Sequence, residues 1–309
     1  LWAVINNASA NNDQATGITV DSSGVYVTGF CNGCGDNAQW AYYTVALDKT
    51  TGAELWATTS DPTSGNDFAY AIATDASQVF VTGSCNGCGD NGGAAFYTVA
   101  LDKTTGAELW AVSNDPTGST DVARSVIVDE TSIYLTGNCF GCGENGGAAF
   151  YTVALEKTNG TEQWATSTDP TGSTDVPRGL FVDSGALYIA GECFQCGDLG
   201  NFAFYTVALD KTNGVQLWSN AADPTSGYDE ISAITGDATT LFISGTSETN
   251  FSSTGDYHTI ALDKQTGQLL DGTGTLDMYG AASTSDFTVA ASSSVTGPRA
   301  LTVSGDFAN

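Results

Sequence analysis

The 309-residue sequence has one methionine, Met278, and one histidine, His258. With a single imidazole in the chain, no Ser-His-Asp set can be assembled without His258, and that residue sits in a strand-like word where it reads as a packing or surface residue. Basic residues are scarce too. Five lysines and three arginines face 35 acidic residues, for a formal net charge of −27. So few cations cannot neutralise a phosphate backbone, which excludes nucleic acid and anionic membranes as partners. No apolar run approaches the roughly 20 residues that cross a bilayer as a helix, so membrane insertion is not expected. None reads as a signal peptide either. The chain begins at Leu1 inside a repeated word, which makes a processed or trimmed product the expectation.

What the chain has in quantity is repetition. Trp2, Trp56, Trp110, Trp164 and Trp218 lie 54 residues apart, and the turn lysines Lys49, Lys103, Lys157, Lys211 and Lys264 keep the same beat with one residue lost at the end. One specimen spans residues 69–113. It holds Ala71 to Asp75, Gln78 to Gly83, Ala95 to Leu101 and Glu108 to Val112, four short runs rich in β-branched and aromatic residues and separated by turn residues. Helical periodicity is absent. Four antiparallel strands recurring at fixed period predict an all-β, single β-propeller rather than a sandwich. The recurring Trp2, Trp56, Trp110, Trp164 and Trp218 are then expected to pack between neighbouring blades, since each such ring buries roughly 150–250 Å².

The words Ala46 to Trp56 and Ala100 to Trp110, of the form Ala-x-Asp-x-x-Thr-Gly-x-x-x-Trp, resemble the tryptophan-docking repeats of PQQ-type quinoprotein propellers. Val20 to Gly29 resembles the SBBP class of propeller repeats. Both resemblances imply a propeller and leave its activity open, because such repeats occur in enzymes, assembly scaffolds and surface proteins. PQQ itself is a tricarboxylate held by basic and polar groups, and three arginines are a poor supply, so no organic cofactor is expected.

The expected blades run at about 16–59, 69–113, 123–167, 177–221 and 231–270, with a degenerate sixth at 276–309. Residues 1–5 match only the last strand of a blade, and closing a six-bladed ring would place them in that sixth sheet. A blade short of a strand can also be completed by a neighbouring subunit, which makes self-association an expectation.

Two kinds of loop recur at one end of the blades. The pairs Cys31/Cys34, Cys85/Cys88, Cys139/Cys142 and Cys193/Cys196 read first as local disulfides, with a zinc knuckle and redox chemistry as alternatives. Equivalent loops on adjacent blades should lie about 10 Å apart, too far to share a zinc ion without pairing off two by two. The Asp-Pro-Thr loops, seven residues from one aspartate to the other, supply Asp61 and Asp67, Asp115 and Asp121, Asp169 and Asp175, and Asp223 and Asp229. Their hard oxygens suit Ca²⁺, although Asp, Pro and Gly can equally shape a turn. Asp36, Asp90, Glu144 and Asp198 could add ligands from the next loop. The lysine turns at the opposite end read as turn chemistry alone.

Paired cysteines and the sequons at Asn7, Asn159 and Asn250 point to an extracellular or cell-surface protein. The functional expectation is a non-enzymatic structural module, in a filament or surface layer. The alternative is a glycan- or protein-binding module using Trp40, Phe140 and Phe194 on the cysteine-loop face, and a quinoprotein-like oxidoreductase comes third.

Overall fold

The computed structural model describes residues 1–35, 38–143, 145–197, 200–224, 227–248 and 255–270. Among them are nineteen strands and no helix, so no helix is long and apolar enough to cross a membrane. The first sheet comprises β1 (Asp13–Val20), β2 (Val25–Asn32), β3 (Trp40–Leu47) and β4 (Glu54–Ser60). The second has β5 (Asp67–Thr74), β6 (Gln78–Asn86), β7 (Ala94–Asp102) and β8 (Glu108–Asn114). The third has β9 (Asp121–Val128), β10 (Ser132–Phe140), β11 (Ala148–Glu156) and β12 (Glu162–Thr168). The fourth has β13 (Asp175–Val182), β14 (Ala186–Phe194), β15 (Phe202–Asp210) and β16 (Gln216–Ala222). In the fifth, β17 (Asp229–Gly236), β18 (Thr240–Glu248) and β19 (Gly255–Asp263) are followed by a single bridge from Leu262 to Leu269. Every sheet is an antiparallel meander in chain order.

The first strands β1, β5, β9, β13 and β17 touch one another in turn, so they line the axis around which the sheets are set. Each carries a bulge at the same place, at Thr16, Tyr70, Arg124, Arg178 and Ser232. Opposite it stands a glycine of the second strand. A Cβ on Gly29, Gly83, Gly137, Gly191 or Gly245 would fall 1.9–2.2 Å from a first-strand carbonyl oxygen, which is why no other residue fits.

The core lies between sheets. Tyr26, Tyr42 and Trp56 of the first sheet meet Val79, Val81 and Tyr97 of the second, and equivalent clusters recur down the chain. Each tryptophan crosses to the next sheet's lysine turn. Trp56 Nε1 donates to the Lys103 carbonyl at 2.9 Å, Trp110 to Lys157 at 3.1 Å, Trp164 to Lys211 at 3.0 Å and Trp218 to Lys264 at 2.9 Å. The rings lie on Gly106, Gly160, Gly214 and Gly267, whose φ of 71–73° and lack of Cβ let the indole approach.

The lysine turns do more than their sequence suggested. Lys157 reaches Asp75 Oδ2 at 2.9 Å, Lys211 reaches Asp129 at 2.9 Å and Lys264 reaches Asp183 at 3.1 Å, and Lys103 pairs likewise with Asp21. Each bridge joins the third-to-fourth-strand turn of one sheet to the first-to-second-strand turn of the sheet before it. The reading of this end as turn chemistry alone is therefore corrected: five of the few cations sit there, and four of them tie sheets together.

The N-terminal segment also departs from expectation. Residues 1–5 are not in a strand among the described residues. They nevertheless dock as the other fourth strands do, since Trp2 Nε1 donates to the Lys49 carbonyl at 3.1 Å and the ring lies on Gly52. Asn6 Nδ2 bonds Glu54 Oε2 at 3.0 Å, copying the bond of Asn114 to Glu162. The expected sixth blade, 276–309, lies outside the described residues.

Candidate functional site

The loops after the second strands and those after the fourth strands come together at one end of the sheets. Thr63 Oγ1 donates to the Asn86 carbonyl at 2.7 Å, Thr117 to Phe140 at 2.9 Å and Thr171 to Phe194 at 2.8 Å. The first three Asp-Pro-Thr loops are thus each tied to the cysteine loop of the following sheet.

Cys31–Cys34, Cys85–Cys88, Cys139–Cys142 and Cys193–Cys196 are disulfides, with Cα atoms 5.5–5.7 Å apart. No described cysteine is free, so the zinc and thiol-redox readings lose their thiolates. Asp13, Cys31 and Cys34 do bring donor atoms within 4.8 Å of one another, but both sulfurs are spent in the bridge.

The paired aspartates meet between sheets. Asp67, Asp121, Asp175 and Asp229 are fully buried. One oxygen of Asp67 accepts from the Asn86 amide at 3.0 Å, one of Asp121 from Phe140 at 3.1 Å and one of Asp175 from Phe194 at 3.2 Å. The carboxyl also meets that of its partner, Asp61, Asp115 or Asp169, and Asp67 takes a further backbone amide from Thr63. Burial, reinforced by the neighbouring carboxylate, pushes Asp67, Asp121 and Asp175 up to about 7. Two acids in such contact hold one proton between them. The partner acid is itself cradled by amides: Asp115 accepts from Gly118 N at 2.6 Å and Asp90 N at 2.8 Å, and Asp169 from Gly172 N at 2.6 Å. Ca²⁺, expected here from composition, would have to displace that proton and face those N–H groups.

Asp90 donates its backbone amide to Asp115 Oδ2. Asp36, Glu144 and Asp198 lie outside the described residues. The sequence reading missed Asp13, which holds the same strand position 54 residues before Asp67. It accepts from Ala8 N at 3.0 Å and Ser9 Oγ at 3.1 Å, and Asn7 takes the place of the partner acid. The sequons Asn7 and Asn159 are exposed, and Asn250 is outside the described residues.

Aromatic side chains gather at two places on this face. Phe30 lies 5.3 Å from Trp40 and 5.0 Å from Phe68 between centroids, and Phe68 stacks on Tyr70 at 6.5 Å. Phe202 lies 5.0 Å from Phe194 and 4.6 Å from Tyr228, and Tyr228 and Phe140 are exposed. Trp40 and Phe194 were legible in the sequence as candidates; each cluster joins them to a ring of their own sheet, Phe30 or Phe202, and to one from the next, Phe68 or Tyr228. His258 pairs with Gly245, the register that Tyr97 and Tyr151 hold opposite Gly83 and Gly137. It thus occupies the tyrosine position and lies edge-on to Phe204 at 6.2 Å. Burial lowers its pKa.

A family model described as outer membrane protein assembly factor BamB matches residues 42–300, well over half of the chain. The chain belongs to the BamB family. The outer membrane protein assembly factor BamB of Kangiella koreensis is 28% identical over 150 residues, 48% of this chain, which spans only 31% of that curated relative. Among solved structures, a quinohemoprotein alcohol dehydrogenase from Pseudomonas putida superposes with a TM-score of 0.51 at 17% identity, covering 83% of this chain and 41% of that one. The corresponding enzyme from Comamonas testosteroni gives 0.49 at 15% identity, over 83% and 42%. The Pseudomonas likeness establishes the propeller fold of this BamB-family chain and no activity. The resemblance to PQQ-type repeats drawn from Ala46 to Trp56 and Ala100 to Trp110 holds.

Proposed function

We propose that this chain is a non-enzymatic propeller scaffold on the envelope or extracellular side of the cell, holding a partner protein on its cysteine-loop face. The observation that carries the reading is the pair of aromatic clusters, Phe30/Trp40/Phe68 and Phe194/Phe202/Tyr228, set among disulfide-closed loops. Aromatic side chains on a rigid frame are the usual anchors of a protein interface. The Kangiella koreensis relative, by its name, serves the assembly of other proteins, which agrees with a partner-holding role.

Site-specific crosslinking in the source cells tests it. Crosslinkers beside Trp40 and Tyr228 should capture a discrete protein, and Trp40→Ala with Tyr228→Ala should abolish the product. Crosslinks that form equally in the double variant, or none at all, sink the reading. A glycan array with the Phe140→Ala variant separates the sugar-binding alternative.

Self-association is a second reading, favoured by the outer face of the first sheet. Ile18 is 71% and Val20 63% exposed, and a cavity of about 470 Å³ opens there between Trp2, Val25 and Val45. A sedimentation series that stays monomeric to high concentration removes it.

A further inference from the structure

The first strands vary along much of their length, and the variation includes a ring of bulged residues around the axis. The aspartate that opens each first strand and the glycine opposite the bulge are the same in all five described sheets. The bulged residue between them is different almost every time: Thr16, Tyr70, Arg124, Arg178 and Ser232. The bulge frees that residue from the ladder and re-aims its side chain, a device common beside binding sites.

Two of the three arginines of this very acidic chain stand on adjacent sheets at this ring. They help line a cavity of about 410 Å³ together with Gln14, Ala15, Thr16 and Tyr70. Their partners are unequal. Arg178 Nε bonds both oxygens of Glu192, at 2.8 and 3.1 Å, and its Nη2 reaches Glu230 at 2.8 Å. Two carboxylates thus take up its charge. Arg124 bonds through Nε to the side-chain carbonyl of Asn138, a neutral group standing where the next sheet has Glu192. Among the described residues Arg124 makes no ion pair. Burial and the nearby Arg178 lower its pKa, but guanidinium stays charged at any physiological pH. Arg124 is thus a half-buried guanidinium whose direct partner is neutral, with Glu192 acting on it only at longer range.

We propose that the axial cavity binds a carboxylate, with the Arg124 guanidinium as its cation and the Tyr70 hydroxyl and Gln14 amide as neutral donors. A planar carboxylate matches the guanidinium fork. A monoanionic carboxylate adds a single negative charge to this acidic molecule, whereas phosphate would add a second. The cavity is of the size that holds small ligands. The carboxylate belongs either to a free small acid or to the terminus or acidic side chain of a peptide entering along the axis. The site adjoins the first aromatic cluster through Tyr70, whose ring stacks on Phe68.

Isothermal titration calorimetry at fixed ionic strength tests this with acetate, succinate, phosphate, and an acidic peptide whose C-terminus is free or amidated. Wild-type protein should bind a carboxylate, and Arg124→Gln should weaken it at least tenfold while its ligand-free melting point stays within a degree or two. Binding by succinate but not peptide assigns a free acid, and loss on amidation assigns a peptide terminus. Identical heats from wild type and Arg124→Gln, or phosphate binding as tightly as carboxylate, overturn the proposal. If Arg124→Gln does not fold, bromoacetate soaked into wild-type crystals decides: an anomalous peak beside Arg124 is expected, and its absence refutes the site.

Discussion

Lys157 Nζ stands 2.9 Å from Asp75 Oδ2, across the boundary between the second and third sheets. The same ammonium donates to the carbonyl of Asp129 in its own sheet at 3.3 Å. Most of both side chains is buried, and the carbonyl contact fixes the lysine in place, so the bridge escapes much of the screening that weakens exposed pairs. Lys157→Met should cost about 1–3 kcal/mol, because it strands Asp75 between sheets. Urea unfolding of Lys157→Met, Asp75→Asn and the double variant checks it. The two single losses should overlap rather than add.

Stability should peak in mildly acid solution, for two opposed reasons. Asp67, Asp121 and Asp175 are raised to about 7. A folded-state pKa above the unfolded value near 3.9 gives stability that is full below that value and is lost as pH rises through 7. The bridge aspartates behave oppositely. Burial raises Asp129, but its bond from Lys211 and the turn amides outweigh that and hold it at about 2, so its contribution is present above pH 4 and is lost as pH falls through 2. Melting temperature should therefore fall from about pH 4 to pH 8, by several degrees, and Asp121→Asn should flatten that slope. A melting point that rises across this range contradicts the shared proton.

Calcium can be separated from the proton by the same experiment. Millimolar Ca²⁺ should raise the melting temperature at pH 8, where the pairs have lost their proton, and leave it unchanged at pH 5. Mg²⁺, smaller and slower to shed water, should do less. No shift at pH 8 removes calcium from these loops.

Gly160 has φ +73°, and a Cβ there would lie 2.6 Å from Cε3 of Trp110. Gly160→Ala should lose about 2 kcal/mol or more, from left-handed strain and from the displaced indole. Ala at Gly146, with φ +76° but open space around it, should cost only the strain. Comparing the two by thermal unfolding isolates the docking contribution.

The loop disulfides close short rings, so removing one should cost about 2 kcal/mol on chain-entropy grounds. Cys85→Ser with Cys88→Ser, compared in stability with wild type, tests this. Intact mass before and after reduction should show all four bridges opening.

Much of this molecule was legible in its sequence because its determinants are local. The 54-residue period, the four-strand words, the Thr-Gly turns and the close cysteine pairs each lie within a few residues of chain, and Trp110 announces by its spacing that it docks on the next unit. The loop face could be placed too, since strand alternation puts those connections at one end.

What the sequence alone did not determine depends on residues brought together from different sheets. Lys157 and Asp75 are each ordinary turn residues until two turns are set side by side. Asp61 and Asp67 looked like ligands for a cation, and only burial among N–H donors turns them into a proton-sharing pair. His258 reads in sequence only as a packing or surface residue, and its edge-on contact with Phe204 of the fourth sheet depends on how the sheets are set together. The axial ring of Thr16, Tyr70, Arg124 and Arg178 is invisible as a cluster because its members are 54 residues apart. Periodicity fixes how each unit folds, but charge balance and burial are properties of the assembled interfaces, and only the tertiary structure decides them.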